Sequence, residues 1–158
     1  MKRFLNIKML ALALILLAGN IPVGAQERPF SCSGKGIAAI IPGSGVPVAN
    51  VTGTGNGTHL GLFTNAGQVT FNPDPDNPTL VHPSGQATFT AADGDKLETV
   101  FNSAETSMDL TTGIGGGIFH FAGGTGKFAN ATGSISVVVI QNFITGAYEL
   151  TAVGKIDY

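Results

Sequence analysis

The sequence is poor in cysteine, tryptophan and charged side chains, and these scarcities exclude several classes of protein. Cys32 is the only cysteine, so no intrachain disulfide can form, and we expect an unpaired, half-buried thiol. Charged residues make up 11% of the chain, well below the average of about 25% for a globular domain. The eight Lys and Arg residues are too few to form the basic surface that binds a phosphate backbone. We therefore predict no nucleic-acid partner.

The basic residues are concentrated at the N-terminus, where they resemble the start of an export signal. Lys2, Arg3 and Lys8 precede the apolar run Met9–Ala18. This run is too short to span a bilayer, which takes about 20 residues. Small residues at 23–25 then form a cleavage site of the A-x-A kind. We predict that residues 1–25 are a cleaved signal peptide and that the protein is secreted or periplasmic.

The remaining segment, Gln26–Tyr158, has the length of one domain. Three of the eight basic residues belong to the signal peptide, which leaves five basic residues against ten acidic ones and a formal net charge of −5. No second apolar run is long enough for a membrane span. We predict one domain over residues 26–158, with no membrane span and no cofactor. No feature of the residues indicates a particular oligomeric state.

Glycine and a period of two favour an all-β fold. The chain has 23 glycines and ten phenylalanines; the glycines indicate many tight turns and the phenylalanines argue against disorder. Apolar and polar residues alternate most clearly in Tyr148–Tyr158, as expected for a strand with one buried face. About eight strands of this kind, joined by short turns, predict a single closed antiparallel β-barrel. The predicted strands are Gly34–Ile41, Val48–Gly57, Leu60–Phe71, Gln86–Ala91, Lys96–Phe101, Ile118–Phe121, Ser134–Ile140 and Tyr148–Tyr158.

The most distinctive segment is the glycine-rich connection Gly123–Gly133, which lies between two predicted strands. Its sequence, GGTGKFANATG, contains one large apolar residue, Phe128. A dinucleotide-binding loop would need a helix to follow, but a strand follows here. We therefore predict a tight structural turn with Phe128 as a buried plug, and Gly126 either at a positive φ or packed tightly against a neighbouring strand. The motif residues are Gly123, Gly124, Gly126, Phe128 and Gly133.

The chain has a predicted strand, then a segment of the form GGTG[KR]FxxAxG, then a second predicted strand. This order resembles the allene oxide cyclase and dirigent protein superfamily, including its secreted bacterial members. The segment Thr58-His59-Leu60-Gly61 also looks like a motif of the bacterial relatives. The resemblance implies a small β-barrel. It also implies a lumen that folds a reactive lipid, as in the cyclases, or steers radical coupling, as in the dirigent proteins. No acid, base or tyrosine of the family aligns with this chain outside the glycine-rich segment.

Two of the three histidines, His120 and His59, are the candidates for acid or base chemistry. His59, His82 and His120 share no metal-ligand spacing, so we predict no metal site. His120 alternates with Phe119 and Phe121 and points outward if these phenylalanines fill the core. The opposite register would place His120 inside the barrel as a catalytic candidate. The same ambiguity makes His59 a candidate.

The apolar faces of the predicted strands supply candidate ligand-binding residues. An eight-stranded barrel is just wide enough to be filled by side chains or to hold one small ligand. We name Phe89, Phe101, Tyr148 and Ala152 as ligand-binding candidates and expect a lumen cavity of about 300 Å³ or more. The leading hypothesis is a binder of a small apolar ligand. One alternative is an enzyme, either an isomerase of the cyclase kind or a dirigent-like enzyme. The other is a filled structural barrel of the envelope or matrix.

Three further expectations concern the strand ends and turns. Phe143 should share a buried face with Ile135, Val137 and Val139. The proline-rich stretch Asn72–Pro78 should lie outside the sheet. Asp93 and Asp95 flank the glycine of a predicted hairpin and should lie in solvent.

Overall fold

A computed structural model describes residues 26–43 and 45–158; the predicted signal peptide lies outside the described residues. The described chain forms nine strands and contains no α-helix. A single 3-10 turn, Gly126–Phe128, lies between the seventh and eighth strands. Within residues 26–43 and 45–158, no helix has the length and apolarity to cross a membrane. The strands are β1 (Arg28–Ile41), β2 (Val48–Gly57), β3 (Gly61–Pro73), β4 (Leu80–Ala91), β5 (Lys96–Phe101), β6 (Thr106–Asp109), β7 (Ile114–Gly124), β8 (Thr132–Gln141) and β9 (Ala147–Asp157).

Eight of the strands close into an antiparallel barrel, as the sequence predicts. β1 pairs with both β2 and β9, and the pairing continues through β3, β4, β5, β7 and β8 without a free edge. The ninth strand, β6, is short. It pairs with Leu80 and Val81 at the start of β4 and with Gly115–Gly117 of β7. β5 and β6 therefore occupy, end to end, one position in the wall between β4 and β7.

Alternation along each strand directs one row of side chains into the barrel. In β9, Tyr148, Ala152 and Ile156 are buried while their neighbours along the strand are more exposed. The buried residues form two clusters. The larger, which we call the plug cluster, consists of Phe30, Cys32, Leu60, Phe63, Phe89, Ala91, Leu97, Phe121, Phe128, Ala131, Ile135, Val137, Ala152 and Ile156. The smaller, which we call the second cluster, consists of Ala38, Ala49, Phe71, Val81, Met108 and Tyr148.

The glycine-rich connection is a tight turn with a buried anchor, as predicted. Gly126 has a φ of +56°, and Phe128 is fully buried against Tyr158, with 5.1 Å between the ring centroids. The turn contacts the β4–β5 hairpin. The Lys127 backbone N–H donates to Asp95 Oδ2 over 3.1 Å, and Lys127 Nζ lies 2.7 Å from Asp93 Oδ2. The two aspartates therefore hold the turn in place, a role beyond that of solvent-exposed turn residues.

One expectation at the ends of strands is wrong and another holds only in part. Phe143 is 43% exposed in the turn between β8 and β9, because β8 ends at Gln141 and the inward row ends with it. Residues 74–78 of the proline-rich stretch lie outside the sheet, as predicted, but Asn72 and Pro73 belong to β3 and pair with His82 and Val81 of β4. Proline is tolerated there because it occupies the last position of the strand, where no ladder N–H is required.

Cys32 is free, as predicted, but it is more deeply buried than the sequence indicates. Its side chain belongs to the plug cluster and the residue is 7% exposed. Burial raises the pKa of its thiol to about 11, so the thiolate is scarce at neutral pH.

We expect Gly126→Ala to lower the free energy of unfolding by about 1–3 kcal/mol. A Cβ there would meet positive-φ strain and would lie 1.8 Å from Asp95 Oδ1, so the carboxylate would have to move away from the Lys127 N–H. Gly94→Ala is the matched control, because Gly94 has a φ of +90° with no atom near the added Cβ. Chemical denaturation of both variants separates the strain of a positive φ, which both share, from the close contact with Asp95, which only Gly126→Ala creates. Equal losses would show that the contact with Asp95 contributes nothing.

We expect Phe128→Ala to lower the free energy of unfolding by about 3–5 kcal/mol, because it removes a large, fully buried side chain and leaves a cavity. Phe143→Ala, at an exposed position, should change it by no more than about 0.5 kcal/mol. Urea denaturation of the two variants checks the difference. A near-neutral Phe128→Ala would contradict the role of the side chain as a plug.

Candidate functional site

The barrel lumen contains one apolar cavity of about 100 Å³ that reaches from the plug cluster to the second cluster. Three of the predicted ligand-binding residues, Phe89, Phe101 and Tyr148, line it. The fourth, Ala152, is buried in the plug cluster and is not part of the lining. The other lining residues are Ala38, Val51, Asn65, Val69, Phe71, Pro83, Ala87, Thr106, Met108, Gly116, Phe119, Val139, Gln141 and Leu150.

The cavity has about a third of the volume that the sequence led us to expect. Typical ligand sites start at about 300 Å³, whereas this lumen offers about 100 Å³. An engineered apolar cavity of about 150 Å³ is known to hold benzene. The lumen as it stands therefore fits a molecule smaller than benzene.

Two glycines of the wall determine where the Tyr148 side chain lies. A Cβ on Gly36 would come within 2.8 Å of the Tyr148 hydroxyl oxygen, and a Cβ on Gly53 within 2.6 Å. These glycines of β1 and β2 therefore leave the space that the hydroxyl occupies. Any larger residue at either position would displace the phenol ring.

The Tyr148 hydroxyl is half of a buried polar pair. Asn65, on β3, is 6% exposed, and its Nδ2 donates to the Tyr148 oxygen over 2.8 Å. The Asn65 Oδ1 atom is buried and has no hydrogen-bond partner among the described residues. Burial raises the pKa of Tyr148, and the hydrogen bond from Asn65 opposes that rise. The phenol therefore stays protonated at neutral pH and can donate a hydrogen bond.

Other buried polar side chains near the lumen are satisfied. The Thr99 hydroxyl donates to the Ala87 carbonyl over 3.0 Å, and Gln141 Nε2 donates to the Gly146 carbonyl over 3.0 Å. The Thr106 hydroxyl lies within hydrogen-bond distance of the Pro83 and Asn102 carbonyls. Asn65 is thus the cavity-lining residue that retains an unused buried acceptor.

Neither histidine named as a catalytic candidate reaches the cavity. His120 lies on the outside of β7, 43% exposed, with its Nε2 3.0 Å from Glu105 Oε2. Phe119 and Phe121 instead pack inside the barrel. His59 lies in the turn between β2 and β3 at a φ of +66°, with its Nε2 3.0 Å from the Pro29 carbonyl oxygen.

Across residues 26–43 and 45–158, no three His, Cys, Asp or Glu side chains are arranged to hold a metal ion.

His82, which the sequence does not indicate as a site residue, contacts a strand of the lumen wall. His82 Nδ1 lies 2.7 Å from the Thr106 carbonyl oxygen, and its Nε2 lies 2.9 Å from Asp74 Oδ2. Both partners are acceptors, so the ring satisfies both only when it is doubly protonated. The hydrogen bond with Asp74 raises the pKa of His82 and lowers that of Asp74. The pairing of Asn72 with His82 brings the two residues together, and sequence spacing alone does not show this register.

We expect the contribution of the Asp74–His82 pair to thermal stability to be largest between about pH 4 and 6.5. The part due to His82 is fully present below its ordinary pKa of 6.5 and is lost as pH rises through the raised value. The part due to Asp74 is present above 3.8 and is lost as pH falls through the lowered value. His82→Gln should weaken the loss of stability above pH 6.5.

Melting temperatures measured from pH 3 to 9 check this expectation. Asp74→Asn is the companion variant, since it removes the carboxylate and keeps the size of the side chain. Asp74→Asn should likewise weaken the loss of thermal stability above pH 6.5, because the raised pKa of His82 depends on the carboxylate. A His82→Gln profile parallel to that of the wild type would contradict the assignment.

Comparison with known proteins supports the fold and goes no further. No protein-family model matches the sequence, and no curated protein matches it. The solved structure of the pterocarpan synthase dirigent protein GePTS1 is similar, with a TM-score of 0.52 over 84% of this chain and 87% of that chain. The two sequences are 12% identical, so the similarity is one of fold: the chain forms a dirigent-like β-barrel.

Proposed function

We propose that this protein is exported and that its barrel binds one small, mostly apolar molecule in the lumen. The observation that carries the proposal is the cavity itself. Side chains fill the plug cluster around Phe128, yet they leave an apolar cavity of about 100 Å³ beside it. Protein interiors are close-packed with few voids larger than a water molecule. A void of this size beside aromatic residues is therefore a candidate binding site.

The cavity adjoins the shortest strand of the barrel wall. The segment β6 is four residues long and contributes Thr106 and Met108 to the cavity lining. The His82 side chain contacts the Thr106 carbonyl. We propose that a ligand enters beside this segment, because it pairs with β4 at only two residues.

A second candidate function is a filled structural barrel of the envelope or matrix, which the small cavity volume favours. An enzyme of the dirigent kind has the fold in its favour. His59 and His120 do not line the lumen, so neither can serve such an enzyme as an acid or base at the cavity. We therefore place binding first.

Titration with xenon, followed by NMR, tests the proposal. A xenon atom is smaller than benzene and binds in apolar protein cavities, so it should shift the resonances of cavity-lining residues saturably. Ala38→Leu should abolish binding, because Ala38 lines the cavity and the larger side chain would occupy the space. Ala39→Leu is the matched control, since the neighbouring residue on β1 is exposed and should leave binding unchanged.

The outcome separates the two leading functions. Saturable binding that Ala38→Leu abolishes supports the binding function. No binding to the wild type, together with an Ala38→Leu variant destabilised by about 1–3 kcal/mol, would support a filled structural barrel. Binding that survives Ala38→Leu would place the probe outside the lumen and would contradict the proposal.

A further inference from the structure

We infer that one side of the barrel end docks on the surface of a zwitterionic phospholipid bilayer. The docking surface, which we call the rim, consists of the turns at residues 109–113 and 142–146 together with Lys35 and Glu149. It lies outside the lumen, so the docking does not depend on the ligand proposed above. Ile144 is 95% exposed, and Leu110 and Phe143 are exposed as well. Clustered apolar side chains on a surface mark a contact site for a protein or a membrane.

The two turns of the rim have the same construction. Residues 109–113 read DLTTG and residues 142–146 read NFITG. In each turn, the first side chain accepts hydrogen bonds from the N–H groups two and three residues later. The threonine at the fourth position accepts from the N–H two residues later, and the final glycine has a positive φ, +72° or +75°. The Gln141 N–H donates to the Gly113 carbonyl over 2.8 Å, so the turns present their apolar side chains side by side.

The hydrogen bonding of these turns suits an apolar environment. The backbone N–H groups of residues 110–114 all have acceptors within the protein, and so do those of residues 144–147. An unpaired backbone group is costly in lipid, where no water can bond to it. The turns can therefore carry Leu110, Phe143 and Ile144 into a bilayer without leaving these donors unpaired. A protein partner would gain little from the same backbone, since protein interfaces rely on about one hydrogen bond per 100–200 Å².

A pair of opposite charges lies farther from the barrel end than the apolar side chains. Lys35 of β1 and Glu149 of β9 are directly opposite each other in the ladder, and both are exposed. Within the described part of the chain, neither side chain forms an ion pair. Both line one open groove of about 790 Å³ together with the two turns. An ammonium and a carboxylate at this level complement the phosphate and the cationic amine of a zwitterionic headgroup.

The outward face of β1 and β9 becomes polar beyond this pair. The next row along the ladder is Ser33 opposite Thr151, which carries only hydroxyl groups. The order from the barrel end is therefore apolar turns, opposite charges, then hydroxyls. A bilayer surface has the same order of hydrocarbon, headgroup and water, and amphipathic elements that lie in such a surface bury their apolar side at the boundary of headgroup and acyl chain.

The distribution of charge favours a zwitterionic bilayer over an anionic one. Lys35 is the basic residue among those that line the groove, and residues 26–158 carry a formal net charge of −5. Anionic lipids attract clusters of basic residues, which the rim does not offer. Asp74 and Asp76 belong to the β3–β4 turn, on the opposite side of the ring of strands. They stay in water when the rim meets the bilayer.

A tryptophan placed in the rim tests the docking. The chain has no tryptophan, so Phe143→Trp introduces a single fluorophore at an exposed position. Its emission should shift to the blue and saturate as phosphatidylcholine vesicles are added, and brominated acyl chains should quench it. Val153→Trp is the matched control, since Val153 is exposed on β9 but lies farther from the barrel end. Its emission should stay unchanged.

Sedimentation with phosphatidylcholine vesicles assigns the contact to the rim. Ile144→Ser should weaken binding about tenfold or more, the scale of withdrawing one large aliphatic side chain from lipid. Leu62→Ser is the matched control, because Leu62 is exposed at the opposite end of the barrel and should keep the wild-type affinity. Lys35→Gln should weaken binding about two- to fivefold, whereas Lys96→Gln, also at the opposite end, should not. All four positions are exposed, so the variants should keep the fold.

Four results would overturn the inference. One is an absence of binding to phosphatidylcholine vesicles, and another is binding that Ile144→Ser leaves unchanged. Tighter binding to phosphatidylglycerol than to phosphatidylcholine would contradict the zwitterionic partner. Self-association in sedimentation velocity that Ile144→Ser abolishes, without binding to vesicles, would show that a second copy of the chain covers the rim.

Discussion

The antiparallel pairing of β1 with β9 is the constraint on which the rest of this structure depends. It joins the first and last strands over ten residue pairs, from Arg28 with Ile156 to Ile37 with Ala147. Without it the sheet would have two exposed edges that could pair with other chains. With it the barrel has a fixed circumference, which limits the volume of the interior. Inward side chains fill part of that volume and leave the rest as a cavity. The plug cluster and the cavity are the two results of that division.

Glycines and aromatic rings determine how the volume is divided. Gly36 and Gly53 have no side chains, so the Tyr148 hydroxyl lies in the space that their Cβ atoms would otherwise occupy. Phe128 enters from a turn outside the barrel wall and completes the packing at the other end. The empty volume therefore remains beside Tyr148, at the position where the wall also supplies Asn65.

Sequence patterns could predict what depends on neighbouring residues. Alternation in β9 and the glycine spacing around Phe128 are local, and both predictions are confirmed. The contact of Asp74 with His82 depends on the register of β3 against β4, which alternation leaves open. The prediction for Phe143 is wrong because a period of two does not reveal where a strand ends. The cavity volume depends on how rings from five strands pack together, which no pattern along the chain records.

The same reasoning explains why the pair of Asn65 and Tyr148 is invisible in the sequence. The two residues are 83 positions apart, and Asn65 falls in a run whose inward row is otherwise apolar or small. Closure of the barrel brings them together and removes them from water in the same step. The Asn65 Oδ1 atom is left without a partner among the described residues, so closure carries a cost in stability that no pattern along the sequence reveals.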